Sequence, residues 1–207
     1  MGLLDSAHLT HPPGKGPWHV KGLVYVGALD YYGTHVARGL EAVLERLAPP
    51  LVEFLGQRFL PGGWYDVGPL TIVAQAAAIA SGTPHLDLLR QMTRTQAERD
   101  IRGVYRVLLK VASPEMVMRR LPQMAGKYLD FVRAEVREVR PKCWESTAHG
   151  VPSVAMHAYM AVSEAFITRA LQLAGAKELR HRWFPLEEEG AIGEVALMKI
   201  RRELSWQ

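Results

Sequence analysis

The sequence predicts an α+β fold, a helical N-terminal part packed on a four-stranded antiparallel sheet with β-β-α-β-β order. Three observations predict it. Up to Gly126 the apolar residues recur at helical spacing between cap and breaker residues. After Gly126 the period falls from 3.6 to 2, and Val132, Ala134 and Val136 alternate with Arg133, Glu135 and Arg137. A single helical segment, 152–174, then separates two pairs of strand-like segments, which places a helix beside a sheet rather than between parallel strands.

The arm 1–17 contains His11-Pro12-Pro13-Gly14-Lys15-Gly16-Pro17 and reads as flexible. The apolar run 18–29 fits a short strand or the start of a helix, and periodicity leaves both open. Thr34 is placed to cap a helix over 34–47, because Val36, Ala37, Leu40, Val43, Leu44 and Leu47 share one arc until Pro49-Pro50 ends it. A short helix over 52–59 and a turn at Pro61-Gly62-Gly63 follow. Asp66 is the next cap, for a small-residue helix over 70–81 that Gly82 stops. Thr83-Pro84 opens another helix, and over 100–112 Ile101, Val104, Tyr105, Leu108, Leu109 and Val111 oppose a basic stripe of Arg99, Arg102, Arg106 and Lys110. Ser113-Pro114-Glu115 combines a hydroxyl cap, proline at the first helical position and an acid at the positive end of the dipole, so a helix runs from there to about Leu121 or Met124.

The strands come next. The first spans 131–138 and the second 142–148, joined at Pro141. Gly150-Val151-Pro152-Ser153 leads into the helix that Gly175 ends. In 178–184 Leu179, His181 and Trp183 alternate with Arg180, Arg182 and Phe184; Glu187-Glu188-Glu189-Gly190 reads as the connection, and 194–203 as the last strand. The expected organisation is the arm followed by one α+β domain, 18–207.

Composition narrows the function. With 48% hydrophobic and 22% charged residues the chain is globular, and at 207 residues folding buries roughly 70% of the unfolded surface. No run reaches the ~20 apolar residues of a membrane span, and the first residues lack the basic and apolar segments of a secretory signal, so no transmembrane segment and a cytoplasmic location are expected. Cys143, the single cysteine, excludes an internal disulfide and any zinc site needing two thiolates, and reads as a buried, inert side chain. The charge of +4 is evenly spread: residues 1–110 hold 11 basic and 9 acidic side chains, residues 111–207 hold 14 and 12, which argues against a nucleic-acid partner. H-E-x-x-H, C-x-x-C, G-x-S-x-G and the P-loop pattern are all absent, so a non-catalytic domain is expected.

Among the eight histidines, His157 stands out because Met156 and Met160 flank it, a set that suggests axial haem ligation. At 100° per residue, however, His157 falls with Glu164, Thr168 and Gln172 on the polar arc, while Met156, Tyr159, Met160, Phe166, Ile167 and Leu171 share the apolar one. Ser163 lies on that apolar arc, where a hydroxyl either bonds back to the preceding turn or faces a cavity.

The run Asp100-Ile101-Arg102-Gly103-Val104-Tyr105-Arg106-Val107-Leu108-Leu109-Lys110 followed by Ser113-Pro114-Glu115 resembles a family of uncharacterised myxobacterial proteins. The resemblance continues through Leu121-Pro122 and Tyr128 and extends from Val20-Lys21-Gly22 to Ala174-Gly175-Ala176. That family is distantly similar to the superfamily of haem nitric-oxide/oxygen-binding domains, four-vinyl-reductase ligand-binding domains and TRAPP vesicle-tethering subunits. The resemblance implies helices set against a β-β-α-β-β sheet. It also implies a sensory or ligand-binding domain for a small apolar or acyl-like molecule, lined by Trp64, Tyr105, Met156, Tyr159, Met160 and Ser163. The alternative is a dimeric adaptor of TRAPP-subunit type, pairing through the 70–81 helix with Trp64 and Tyr65 exposed. Haem-binding members carry Tyr-x-Ser-x-Arg, which this chain lacks, so no cofactor is expected and a haem sensor ranks third, with His85, His149 and His181 unassigned.

Overall fold

The computed structural model describes residues 3–4, 11–102 and 113–207. In chain order the elements are β1 (His19–Lys21), α1 (Gly22–His35), α2 (Gly39–Leu44), α3 (Pro49–Leu55), β2 (Trp64–Asp66), α4 (Val67–Ser81), α5 (His85–Arg102), α6 (Pro114–Tyr128), β3 (Arg133–Arg140), β4 (Cys143–Pro152), α7 (Met156–Leu173), β5 (Arg180–Trp183), β6 (Glu187–Ile192) and β7 (Val195–Ser205). A 3-10 turn, Ser153–Ala155, joins β4 to α7. The chain forms two compact units, Met1–Met92 with Tyr128–Asp130, and Thr93–Lys127 with Phe131–Gln207.

In the first unit the ambiguous apolar run resolves into both of its alternatives, strand β1 and then helix α1. β1 pairs antiparallel with β2, and Gly22 permits the turn between strand and helix because a Cβ there would lie 2.0 Å from the Leu60 carbonyl oxygen. Tyr25 on α1 is fully buried, stacks on Phe59 at 4.3 Å and donates to the Asp66 carbonyl at 2.6 Å. The Asp66 carboxylate gathers the surrounding chain. Oδ1 accepts from Gly68 N at 2.9 Å and so caps α4, while Oδ2 accepts from Gly14 N and Gly16 N, both at 3.0 Å. On the far edge of β1, Asp130 accepts from His19 N at 2.8 Å and meets His19 Nδ1 at 2.7 Å.

The helix expected over 34–47 is two helices. Thr34 sits inside α1, its hydroxyl donating to the Asp30 carbonyl at 2.7 Å, and the chain breaks at Arg38, whose φ of 64° is left-handed. That conformation is unfavourable for a side chain with a Cβ, and the two guanidinium bonds from Arg38 to the Glu45 carboxylate, at 3.0 and 2.6 Å, offset it. The cap at Asp66 and the stop at Gly82, left-handed at φ 66°, are as the sequence implies.

The second unit holds an antiparallel sheet in the order β3-β4-β7-β5, with β6 pairing β7 beside β5. It has five strands, so the four-stranded β-β-α-β-β expectation is corrected to β-β-α-β-β-β. The added strand is the acidic segment read as a connection. Glu187 lies opposite Lys199 and forms ion pairs with Lys199 at 3.0 Å and Arg201 at 2.8 Å, so the acidic run is an edge strand matched to a basic neighbour. Helices α6 and α7 cover one face, burying Val117, Met118, Leu121, Ile167, Ala170 and Leu171 with Trp144, Leu204 and Trp206. α6 continues to Tyr128, beyond its expected end, with Pro122 inside it. The opposite face carries cross-strand ion pairs such as Arg137–Glu145 at 3.1 Å and Arg182–Glu203 at 3.2 Å. Of the basic stripe, Arg99 and Arg102 lie in the last turn of α5, and Arg106 and Lys110 lie outside the described residues. No described helix is long and apolar enough to cross a membrane.

Asp66→Ala removes the α4 cap and both glycine bonds while leaving a buried gap. We expect a loss of about 2–3 kcal/mol in urea unfolding, and roughly half that for Asp66→Asn, which retains an accepting oxygen.

Candidate functional site

A buried polar group of the second unit lies on the helix-covered face of β4, β7 and β5. Antiparallel register sets Ser146, Arg202 and Trp183 side by side in one row, and Trp144, Leu204 and His181 in the next. Arg202 occupies a buried phase of β7, between Ile200 and Leu204, and is 3% exposed. Its guanidinium lies over the Trp183 ring, 4.9 Å from the centroid, and its Nη1 has no hydrogen-bond partner among the described residues. Burial lowers its pKa to about 10, against the opposing pull of Tyr159 and Glu164.

α7 supplies the partners of β5. Trp183 Nε1 donates to Glu164 Oε2 at 3.2 Å, and one turn on, Thr168 Oγ1 shares a hydrogen bond with His181 Nε2 at 2.9 Å. The other nitrogen of His181, Nδ1, is shielded and has no partner among the described residues. Burial and the nearby Arg202 charge bring the His181 pKa from 6.5 to about 4, so the ring is neutral at pH 7. Burial raises the Tyr159 phenol, although Arg202 draws it down.

Four expected site residues, Met156, Tyr159, Met160 and Ser163, lie half-buried on α7. Ser163 takes the first of its two alternatives, its hydroxyl donating to the Met160 carbonyl at 3.2 Å. Trp64 belongs to the first unit, where it is 41% exposed with Lys21 Nζ 3.9 Å above its ring. Tyr105 lies outside the described residues. Sequence reasoning missed Arg202, Glu164, Trp183 and Thr168 as a group. The signal was available in β7, where a charged residue falls in phase with Ile200, Leu204 and Trp206.

The histidines separate cleanly. His157 is exposed, His149 Nδ1 meets Glu189 Oε2 at 2.7 Å, and His35 stacks on Tyr31 at 4.1 Å. His85, at the start of α5, is half-buried; burial lowers its pKa, and its Nε2 is shielded without a partner among the described residues. No group of three metal-ligating side chains occurs among the described residues. Cys143 is buried, and burial together with Glu203 pushes its thiol above the ordinary range.

No protein-family model and no curated protein sequence matches the chain. Solved structures do match, and several of them are described as H-NOX domains. An oxygen-binding H-NOX domain related to soluble guanylate cyclases, solved as its oxygen complex, superposes with a TM-score of 0.66 at 9% identity, over 90% of this chain and 95% of that one. The Fe(II) unliganded H-NOX protein from K. algicida gives 0.63 at 13% identity, over 90% and 96%. A structure described by the modulation of haem redox potential through porphyrin distortion gives 0.65 at 8% identity, over 89% and 99%. At these identities the likeness is one of fold.

These matches correct the expectation of no cofactor, because the structures that share the fold are described by a haem redox potential in one case, by bound oxygen in another and by an Fe(II) state in a third. They support the H-NOX branch of the resemblance. They lend nothing to the acyl-like ligand, the TRAPP-type adaptor or a homodimer.

Two measurements follow. The His181 pKa is depressed, so acidification charges the unfolded chain first; stability is full above pH 6.5 and falls toward pH 4, by up to about 1.4 kcal/mol per pH unit from this group. Urea unfolding across that range should show the slope, and His181→Gln should flatten it. Cys143 should stay unreacted with a thiol reagent in native buffer and react on unfolding.

Proposed function

We propose that this chain is a sensory ligand-binding domain and that the group it carries is haem. The observation that supports this reading best is the extent of the fold match, about nine-tenths of the chain and more than nine-tenths of each H-NOX structure. A neutral imidazole nitrogen kept from water and from other partners would suit haem iron. His85 fits that description: burial favours its uncharged ring and leaves Nε2 without a hydrogen bond among the described residues. When bound, the haem iron supplies a site for a diatomic gas. His85 would hold the group, and the α4 residues Ala74, Ala76 and Ala77, fully or nearly fully buried, keep the same unit dry. Tyr-x-Ser-x-Arg is absent, so other residues must meet the haem carboxylates. Met156, Tyr159, Met160 and Ser163 remain proposed as the lining that α7 offers a ligand.

The test is an absorption spectrum of the purified protein before and after haem addition, with removal of unbound haem. A retained Soret band that shifts with carbon monoxide is the expected result, and His85→Ala should lose the retained band while keeping the far-UV circular dichroism of the parent. A featureless spectrum in both samples rejects the haem reading.

A further inference from the structure

We propose that Arg202 anchors a binding site for a small monocarboxylate, inside the second unit on the α7-covered face of β7. A guanidinium has five N–H donors and no acceptor, so burial at 3% exposure is tolerable only when acceptors surround it. Trp183 presents a ring to it, which satisfies charge but not the N–H bonds. The nearby carboxylate of Glu164 is engaged by Trp183 Nε1, and Arg202 Nη1 is left without a partner among the described residues. His181, in the adjacent row of the same sheet face, has a second shielded nitrogen, Nδ1, in the same condition. Two neighbouring side chains therefore each hold a shielded nitrogen without a partner among the described residues.

The charges around Arg202 set the ligand class. Tyr159 and His181 are neutral at pH 7, so among the described residues Glu164 is the anion that acts on the guanidinium. A planar monoanion that takes two N–H bonds suits this balance, whereas a phosphate dianion would be repelled by Glu164. Trp183, Tyr159 and Leu204 give the surroundings an aromatic and apolar character, which favours a carboxylate on a ring or short hydrocarbon over acetate.

The inference does not rest on the haem reading, and it is tested on protein without added haem. The probes are benzoate, acetate and inorganic phosphate at constant ionic strength, followed by melting temperature and by NMR of the arginine side-chain N–H signals. Benzoate should stabilise the protein saturably and shift the Arg202 signal, acetate should do so more weakly, and phosphate should do neither. Arg202→Gln should weaken benzoate binding by about tenfold or more, with partial recovery in Arg202→Lys. Where Arg202→Gln does not fold, Tyr159→Phe keeps the test open, with weaker benzoate binding expected, and the Arg202 signal of the parent remains readable. The proposal is overturned by a benzoate response confined to exposed arginines, by equal binding in Arg202→Gln, by phosphate binding as tightly as benzoate, or by no saturable response to any probe. Failure of haem binding alone leaves these outcomes unchanged.

Discussion

Along Val195–Ser205 one strand satisfies three others: β4 runs the length of one edge, while β5 and β6 share the other end to end. The position of every helix-facing residue in the second unit depends on that register. Val195, Ile200, Leu204 and Trp206 are buried, and a slip of one residue would carry Arg201 and Glu203 under α7 instead. The register is therefore held by apolar burial and by the ion pairs on the outer face, which weaken together if it shifts. Arg202 is the exception within this pattern, a charge kept in an apolar phase by a strand whose other residues leave it no choice of side.

The first unit is organised by a carboxylate rather than a strand. Asp66 ends β2, caps α4 and receives two glycine N–H groups from the proline-rich segment, and its carbonyl takes the Tyr25 hydroxyl. Gly16 must be glycine for this to happen, because a Cβ there would stand 2.5 Å from Asp66 Oδ1. A segment whose composition suggests mobility thus has two of its backbone donors fixed by one buried side chain.

Local signals in the sequence were reliable where short-range physics decides the outcome. Asp66, Gly82 and Ser113-Pro114 mark helix ends through bonds made within a few residues, and the period-2 run around Val136 marks β3. The signals failed where distant partners decide. Glu187-Glu188-Glu189 reads as a loop until Lys199 and Arg201 are set opposite it, and the break at Arg38 is supported by Glu45 rather than by any helix breaker. The site was less legible still. Periodicity identified the α7 side of it, through Tyr159, but a pattern scan treats a lone arginine in a strand as a surface residue. The burial of Arg202 depends on Trp183 and Glu164, which no local window contains.

The junction between β5 and β6 gives the sheet an unusual mechanical property. Phe184 makes the last bond to this edge, its N–H donating to the Arg201 carbonyl at 3.0 Å, and pairing resumes only at Glu187. The chain at Pro185 and Leu186 carries no ladder bonds, so β5 and β6 are two separate planks nailed to the same beam. Bending β6 loads β7 near Lys199, whereas β5 is braced a few residues further on by Glu164 and Thr168 of α7. Strain entering at the exposed acidic edge can be absorbed at the joint before it reaches the braced plank beside Arg202.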